Sequence, residues 1–227
     1  MSYFPMFIEL QDKRCLVVGG GKVAYRKVKV LQDFGAQVTV LAEQILPEIK
    51  GEANVVWQEK RGALEDIKGW DVVIAAMDDK EWNHRIAEMC KQQKIPVNAV
   101  DQIEDCSFIF PAYLKQGEVV AAFSSGGKSP VITQYLKQQT KPVMTEHLGT
   151  IADCLGNLRE RVKQCVETEA ERKQVYMELL ELGLERDSAP TEEEIEAVIK
   201  AHAKTESKNQ LTIKKFVSTI SYRRKGE

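Results

Sequence analysis

The chain has 227 residues, room for one large domain or two modest ones, with 43% hydrophobic residues, 29% charged residues and a formal net charge of −2. That balance gives no electrostatic case for nucleic acid or an anionic membrane as a partner, and no apolar run approaches the ~20 residues that span a bilayer. The first residues, Met-Ser-Tyr-Phe-Pro-Met-Phe, lack a basic segment and a cleavage site, so no signal peptide is expected, and the five scattered cysteines (Cys15, Cys90, Cys106, Cys154, Cys165) show no C-x-x-C spacing, as befits reduced thiols of a cytoplasmic protein.

Cys15 to Val18 is an apolar run without alternation, which predicts a strand covered on both faces. Gly19, Gly21 and Ala24 then fit G-x-G-x-x-[G/A]. Gly19 turns the chain sharply off the strand. Gly21, without a Cβ, lets backbone approach a pyrophosphate, and Ala24 lets the next helix lie close to the sheet. The helix, predicted from Lys22 to Phe34, directs unpaired N–H groups and its positive end at the phosphates. A tight turn with no ligand is the bland alternative.

Further strands are predicted at Gln37 to Leu41, Asn54 to Trp57, Asp71 to Ala76 and Pro96 to Val100, with a helix at Glu81 to Gln92 that Asp79 caps. Strands alternating with helices predict a Rossmann-type, doubly wound parallel α/β sheet. After Asp101 the pattern changes. Cys106 to Pro111 and Glu118 to Ser124 are predicted as a hairpin turning at Gln116-Gly117. Pro130 opens a helical region, predicted as Val131 to Glu146, Leu148 to Glu167 and Glu171 to Leu182, followed by an acidic helix capped by Thr191 with Glu194. The expected division is a dinucleotide-binding domain over 1–112, a linking and dimerisation region over 113–147 and a helical domain over 148–227 with a solvated basic tail from Lys204. The elongated helical part points to a homodimer.

Ligands of a doubly wound sheet bind beyond the carboxyl ends of its strands. Three segments should meet there: Gly19 to Val23; Ala76, Met77, Asp78 and Asp79; and Asn98 to Asp101. Asp101 at a strand end can exchange a proton beside a nicotinamide, or it can simply cap a turn. Glu43, with Gln44 beside it, stands in for the ribose-binding acid usual ~20 residues after the glycines. It can equally be a solvated carboxylate. No cation follows before Lys50, so NAD is favoured over NADP. Ser124, Ser125, Gly126, Gly127 and Lys128, leading into Pro130, form an anion-binding candidate, or a flexible turn. His84, His147 and His202 are far apart and are expected to be packing or surface residues, so no metal site is expected. Asp78 and Asp79 are read as helix-capping rather than cation-binding.

Taken in order, Phe4-Pro-Met-Phe7, Val17 to Ala24 with Arg26-Lys27, Ala75 to Asp79, Asn98-Ala-Val-Asp101, Ser107 to Pro111, Ser124 to Pro130, His147-Leu-Gly149 and Arg159 to Lys163 resemble the precorrin-2 dehydrogenase family of siroheme biosynthesis, including the N-terminal half of fused siroheme synthases. The resemblance runs from Phe4 to about Gln174. It implies NAD-dependent oxidation of precorrin-2 to sirohydrochlorin by an interlocked homodimer. It places the acid/base group on Asp101, NAD contacts on Lys22-Val23 and Glu43-Gln44, and Ser125 by the tetrapyrrole, a serine phosphorylated in some members. Some members also insert ferrous iron, which the residues leave open. The chain length argues against a fused methyltransferase domain. Two competing readings are an NAD-sensing regulatory or scaffold protein without chemistry, and a nicotinamide oxidoreductase for another polyanionic substrate.

Overall fold

A computed structural model describes residues 3–203, so the basic tail from Lys204 lies outside the described residues. The chain divides into two compact units, with boundaries at Pro111/Ala112, Phe123/Ser124 and Pro130/Val131. The hairpin thus groups with the helical region and the Ser124–Pro130 loop groups with the sheet. The stretch 113–147, expected as one linking region, is shared between the two units.

The first unit holds β1 (Arg14–Val18), α1 (Lys22–Asp33), β2 (Gln37–Ala42), a short α2 (Pro47–Lys50), β3 (Val55–Glu59), β4 (Val72–Ala75), α3 (Lys80–Gln92) and β5 (Val97–Ala99). The five strands are parallel in the order β3-β2-β1-β4-β5. The central register pairs Val17 with Val40 on one side and Ile74 on the other. The unbroken apolar run of β1 follows from cover on both faces. Cys15 and Val17 pack with Ala24, Val28 and Leu31 of α1. Leu16 and Val18 pack with Ile86, Ala87 and Cys90 of α3. Each fully buried Val, Leu or Ile contributes roughly 1.5–3 kcal/mol. The strand order reverses between β1 and β4, which sets a crevice at their carboxyl ends.

The second unit holds the antiparallel hairpin β6 (Ala112–Gln116) and β7 (Val119–Phe123), then α4 (Pro130–Thr140), α5 (Glu146–Asn157), α6 (Arg159–Cys165), α7 (Glu169–Glu185) and α8 (Glu192–His202). Its core joins Leu158, Val162, Val175, Leu179, Ile195 and Ile199. Two capping boxes start its last helices: Thr191 with Glu194, as expected, and Thr168 with Glu171.

The hairpin register corrects the sequence reading. Its first strand is Ala112–Gln116, not Cys106 to Pro111. Residues 106–107 instead line the outer edge of β5. The Ser107 N–H donates to Val97 O at 2.9 Å, and the Val97 N–H donates to Ser107 Oγ at 2.8 Å. The long helices expected after Pro130 are also broken. The first ends at Thr140, whose Oγ1 donates to Leu136 O, and Pro142 cannot continue it. The second divides at Leu158, which ends α5 and starts α6.

Candidate active site

The site grows from the end of β1. Gly19 has φ +130°, and a Cβ on it would stand 2.2 Å from Ala76 O at the end of β4. A Cβ on Gly20 would stand 2.1 Å from Gln44 O, after β2. These two glycines therefore let the turn thread between two neighbouring strand ends. At Gly21, the N-cap of α1, a Cβ would meet nothing within 4 Å. Open space thus lies over the start of α1, where Lys22, Val23 and Ala24 have N–H groups that α1 itself cannot satisfy. No acidic residue in the first turn competes with an anion there. Ala24 is fully buried against the sheet. Glu43 and Gln44 are exposed directly after β2.

The end of β4 is held by a residue the sequence reading missed. Buried Asn83 of α3 donates to Met77 O at 2.9 Å and accepts from Met77 N at 3.1 Å. Met77 backbone is thereby locked beside Gly19, whereas Asp78 is exposed. Asp79 caps α3 by accepting from Trp82 N at 3.0 Å, as expected, and its other oxygen meets Arg61.

Asp101 follows β5. It is exposed and its backbone is left-handed, with φ +59°, a conformation that Asp and Asn tolerate better than other L-residues. A framework on both sides of it fixes this turn. Asn98 is buried, and its amide nitrogen donates to Phe108 O at 3.1 Å and reaches Cys106 Sγ. That nitrogen is therefore engaged within the fold and is not a free donor for a cofactor. Cys106 Sγ accepts from Ala99 N at 3.3 Å and lies 3.3 Å from Gln102 O. Gln102 Nε2 donates to Lys80 O at 3.1 Å and to Asp105 Oδ2 at 3.0 Å. Asp105 is buried, meets His84 Nδ1 at 2.8 Å and has Lys91 Nζ at 3.7 Å. The Asp105 carboxylate raises the His84 pKa above its ordinary 6.5, through the hydrogen bond first and charge second.

Lys27, quoted in the sequence only as part of the Arg26-Lys27 pair, is the other residue that was given no role. It shares the Ala24, Lys27, Val28, Leu31 stripe of α1, so a lysine on an apolar stripe was the available signal. Its Nζ stands 3.8 Å from the Phe110 ring centroid, and Phe110 packs on Phe108 at 5.4 Å. Burial pulls its pKa from 10.5 down to about 8, while the charges of Cys106 and Asp101 act the other way.

The Ser124–Lys128 loop stands against the same turn. Gly126 and Gly127 have φ +63° and +80°, and a Cβ on Gly127 would meet Ile103 Cδ1 at 2.3 Å. Ser125 Oγ accepts from Ser129 N at 2.9 Å and donates to Ser129 O, while Ser124 Oγ accepts from Gly126 N. Lys128 is exposed. The loop is therefore an ordered turn seated two residues from Asp101. Of the histidines, His84 meets Asp105 and His202 meets Glu178 at 2.9 Å. Among the described residues, no three His, Cys, Asp or Glu side chains converge as metal ligands would.

Residues 6–112 match a family model described as "Putative NAD(P)-binding". Over 184 residues the chain is 38% identical to the siroheme synthase of Methylococcus capsulatus, and over 183 residues 37% identical to siroheme synthase 3 of Aeromonas hydrophila. By sequence, the chain is similar to part of each of these siroheme synthases. The matches take in 80% and 79% of this chain but 39% of either relative's length. Among solved structures the chain resembles "SirC, precorrin-2 dehydrogenase" with a TM-score of 0.64 and 20% identity, covering 88% of this chain and 98% of that one. That likeness shows a shared fold: a parallel five-stranded sheet, a small hairpin and a helical C-terminal part. The family match and the glycine turn agree on a nicotinamide dinucleotide as the cofactor class.

Proposed function

We propose that this protein is an NAD-dependent dehydrogenase that oxidises precorrin-2 to sirohydrochlorin, with Asp101 as its acid/base group. The observation that carries the reading is the position of Asp101. It is an exposed carboxylate on a clamped turn at the carboxyl end of β5, beside an anion-suited loop and in the same unit as the open dinucleotide turn. When bound, NAD supplies the hydride acceptor. Gly21, Lys22 and Val23 offer backbone donors to its pyrophosphate. Glu43 accepts from the adenosine ribose hydroxyls, which favours NAD because a 2′-phosphate would face this carboxylate. Asp101 takes the proton lost as the tetrapyrrole is dehydrogenated. Ser124, the Gly126 and Gly127 backbone and Lys128 face the substrate's carboxylates, and Ser125 holds that loop in shape.

The working unit in this reading is a homodimer in the cytoplasm. Val131, Ile132 and Tyr135 are exposed on α4, which buries none of its residues within its own unit. A second copy is the partner that would cover them.

The test is an anaerobic assay with precorrin-2 and NAD, following NADH and the tetrapyrrole spectrum. Asp101→Asn keeps a residue suited to the left-handed backbone while removing the base. It should lose turnover by about a hundredfold or more, in line with the loss of a general base, and bind NADH as the parent does. Undiminished turnover would remove Asp101 from the mechanism. Absence of turnover in the parent protein would remove precorrin-2 as substrate. Ferrous ion added in a second stage reads iron insertion separately.

A further inference from the structure

Lys27 is a charged group for which the proposed mechanism has found no use. Of the lysines on α1, Lys22 is exposed in the first turn and Lys29 is paired with Glu52 at 3.0 Å. Lys27 is half-buried, with its ammonium 3.8 Å from the Phe110 ring centroid. Among the described residues no carboxylate lies within ion-pair distance of it. A half-buried cation that lies on an aromatic face and makes no ion pair is costly to keep, and such groups concentrate where a ligand completes them. The surroundings point to the reacting end. Phe110 and Cys106 belong to the segment that follows Asp101, and the charge of Asp101 acts directly on Lys27. The cofactor's pyrophosphate is the wrong anion for it. Lys27 lies five residues past Lys22, about 7.5 Å down the helix axis from the turn that would hold the phosphates.

We propose that Lys27 is a substrate-anchoring residue, whose ammonium receives a carboxylate of the tetrapyrrole acted on at Asp101. The inference rests on the reading of the substrate given above. An ion pair made on this apolar wall is shielded from water, so it orients the macrocycle as well as attracting it. The lowered pKa, about 8, adds a signature: the anchor loses its proton across the mildly alkaline range. The charged and titratable groups facing it are Arg26 on its own helix, Asp101 after β5 and Cys106 on the following segment.

The experiment compares the parent protein with Lys27→Met, which keeps an apolar stem on Phe110, and with Lys27→Arg, which keeps the charge. Sirohydrochlorin binding is titrated by absorbance, NADH binding by fluorescence and folding by thermal melting. Lys27→Met should weaken sirohydrochlorin binding about tenfold or more, a loss of about 1.4 kcal/mol, and leave NADH binding within about twofold. Lys27→Arg should restore a large part of the loss. Parent affinity should fall between pH 7 and 9, and the Lys27→Met variant should not share that fall. Equal sirohydrochlorin affinity in parent and Lys27→Met would overturn the proposal, and so would parallel loss of both ligands with a lowered melting point. If the Lys27→Met deficit appears but the parent does not turn over precorrin-2, the anchor stands and the activity reading falls. If the parent binds no sirohydrochlorin, both fall.

Discussion

Gly19 and Gly21 are two residues apart in one turn, yet the structure gives them opposite tasks, and Ala substitutions should separate stability from cofactor binding. At Gly21 the backbone is ordinary, with φ −86° and ψ −173°, and a Cβ meets nothing within 4 Å. Exchanging Gly for Ala at an N-cap costs about 0.5–1 kcal/mol. The new methyl group would nevertheless occupy the open space expected to take the pyrophosphate. At Gly19 the φ of +130° lies in a region that L-residues avoid, at about 1–3 kcal/mol. A Cβ 2.2 Å from Ala76 O also forces backbone apart, adding about 1–3 kcal/mol. Gly19→Ala should thus cost roughly 2–6 kcal/mol, or roughly 5–20 °C of melting temperature at about 2–4 °C per kcal/mol. Tryptophan fluorescence reads this unit selectively, because Trp57, Trp70 and Trp82 all lie in it. Gly21→Ala should melt within a few degrees of the parent and bind NADH about tenfold or more weakly. If Gly21→Ala bound NADH like the parent, the phosphate path over the start of α1 would be refuted. If Gly19→Ala melted like the parent, the steric account of the turn would fail.

Asp105→Ala removes the buried carboxylate that accepts from Gln102 and His84, at an expected cost of about 2–4 kcal/mol in chemical denaturation. Because the His84 pKa is raised in the fold, its contribution is full below the ordinary value of 6.5 and is lost as pH rises through the folded value. The melting gap between parent and Asp105→Ala should accordingly be wider at pH 6 than at pH 8, and a gap that grows with pH would contradict the pairing. Gly127→Ala should raise KM for the tetrapyrrole several-fold without changing NADH binding, since its Cβ pushes against Ile103; adding Ile103→Ala should recover part of that loss. Val131→Glu with Tyr135→Glu places charges on two exposed positions of α4, 78% and 59% exposed. Sedimentation should show the parent at the mass of the proposed dimer and the variant as monomer; a dimeric variant would place the interface elsewhere, and a monomeric parent would remove the dimer.

The parts of the fold read most directly from sequence were those set by local rules. β1 announced itself because both of its faces are covered, so its apolar run has no polar interruption. Thr191 with Glu194 and Asp79 before α3 announced two helix starts because a capping side chain reaches only three residues. The hairpin register was misread because Cys106 to Pro111 has strand-like composition, while Cys106 and Ser107 spend their side chains on the edge of β5, a partner remote from any local pattern. The helices after Pro130 were drawn too long because helix propensity was followed through Pro142 and across Leu158, where the chain turns. At the site, the places of the glycines after β1 and of Asp101 after β5 were legible from the strand pattern, while the acid/base role proposed for Asp101 came from the family resemblance, because spacing alone leaves a turn-capping aspartate equally open. Asn83 and Lys27 were not legible, because each acts through a neighbour that only folding supplies: Met77 backbone for one, Phe110 for the other.

The proposed mechanism asks an exposed carboxylate to act as a defined acid/base group, and the segment from Asn98 to Ser107 supplies the positioning that this role would need. An exposed aspartate on an ordinary loop samples many positions, and the proton would find its acceptor only part of the time. Asp101 has instead been given a left-handed backbone, which limits its turn to few alternatives. On its N-terminal side, Ala99 N donates to Cys106 Sγ and Val100 N donates to Ala75 O at 2.9 Å, tying the turn to β4. On its C-terminal side, Gln102 is held by Lys80 O and by Asp105, and Asp105 in turn by His84 of α3. These bonds run to both β4 and α3, so moving Asp101 would require breaking contacts to two elements at once. Exposure of the carboxylate leaves it accessible to a ligand, while the anchoring of its backbone confines where it can be. Asp105→Ala therefore acts on Asp101 as a loss of position rather than of chemistry. It should lower kcat with little change in NADH binding, whereas Asp101→Asn removes the proposed proton acceptor and should leave the turn as it was.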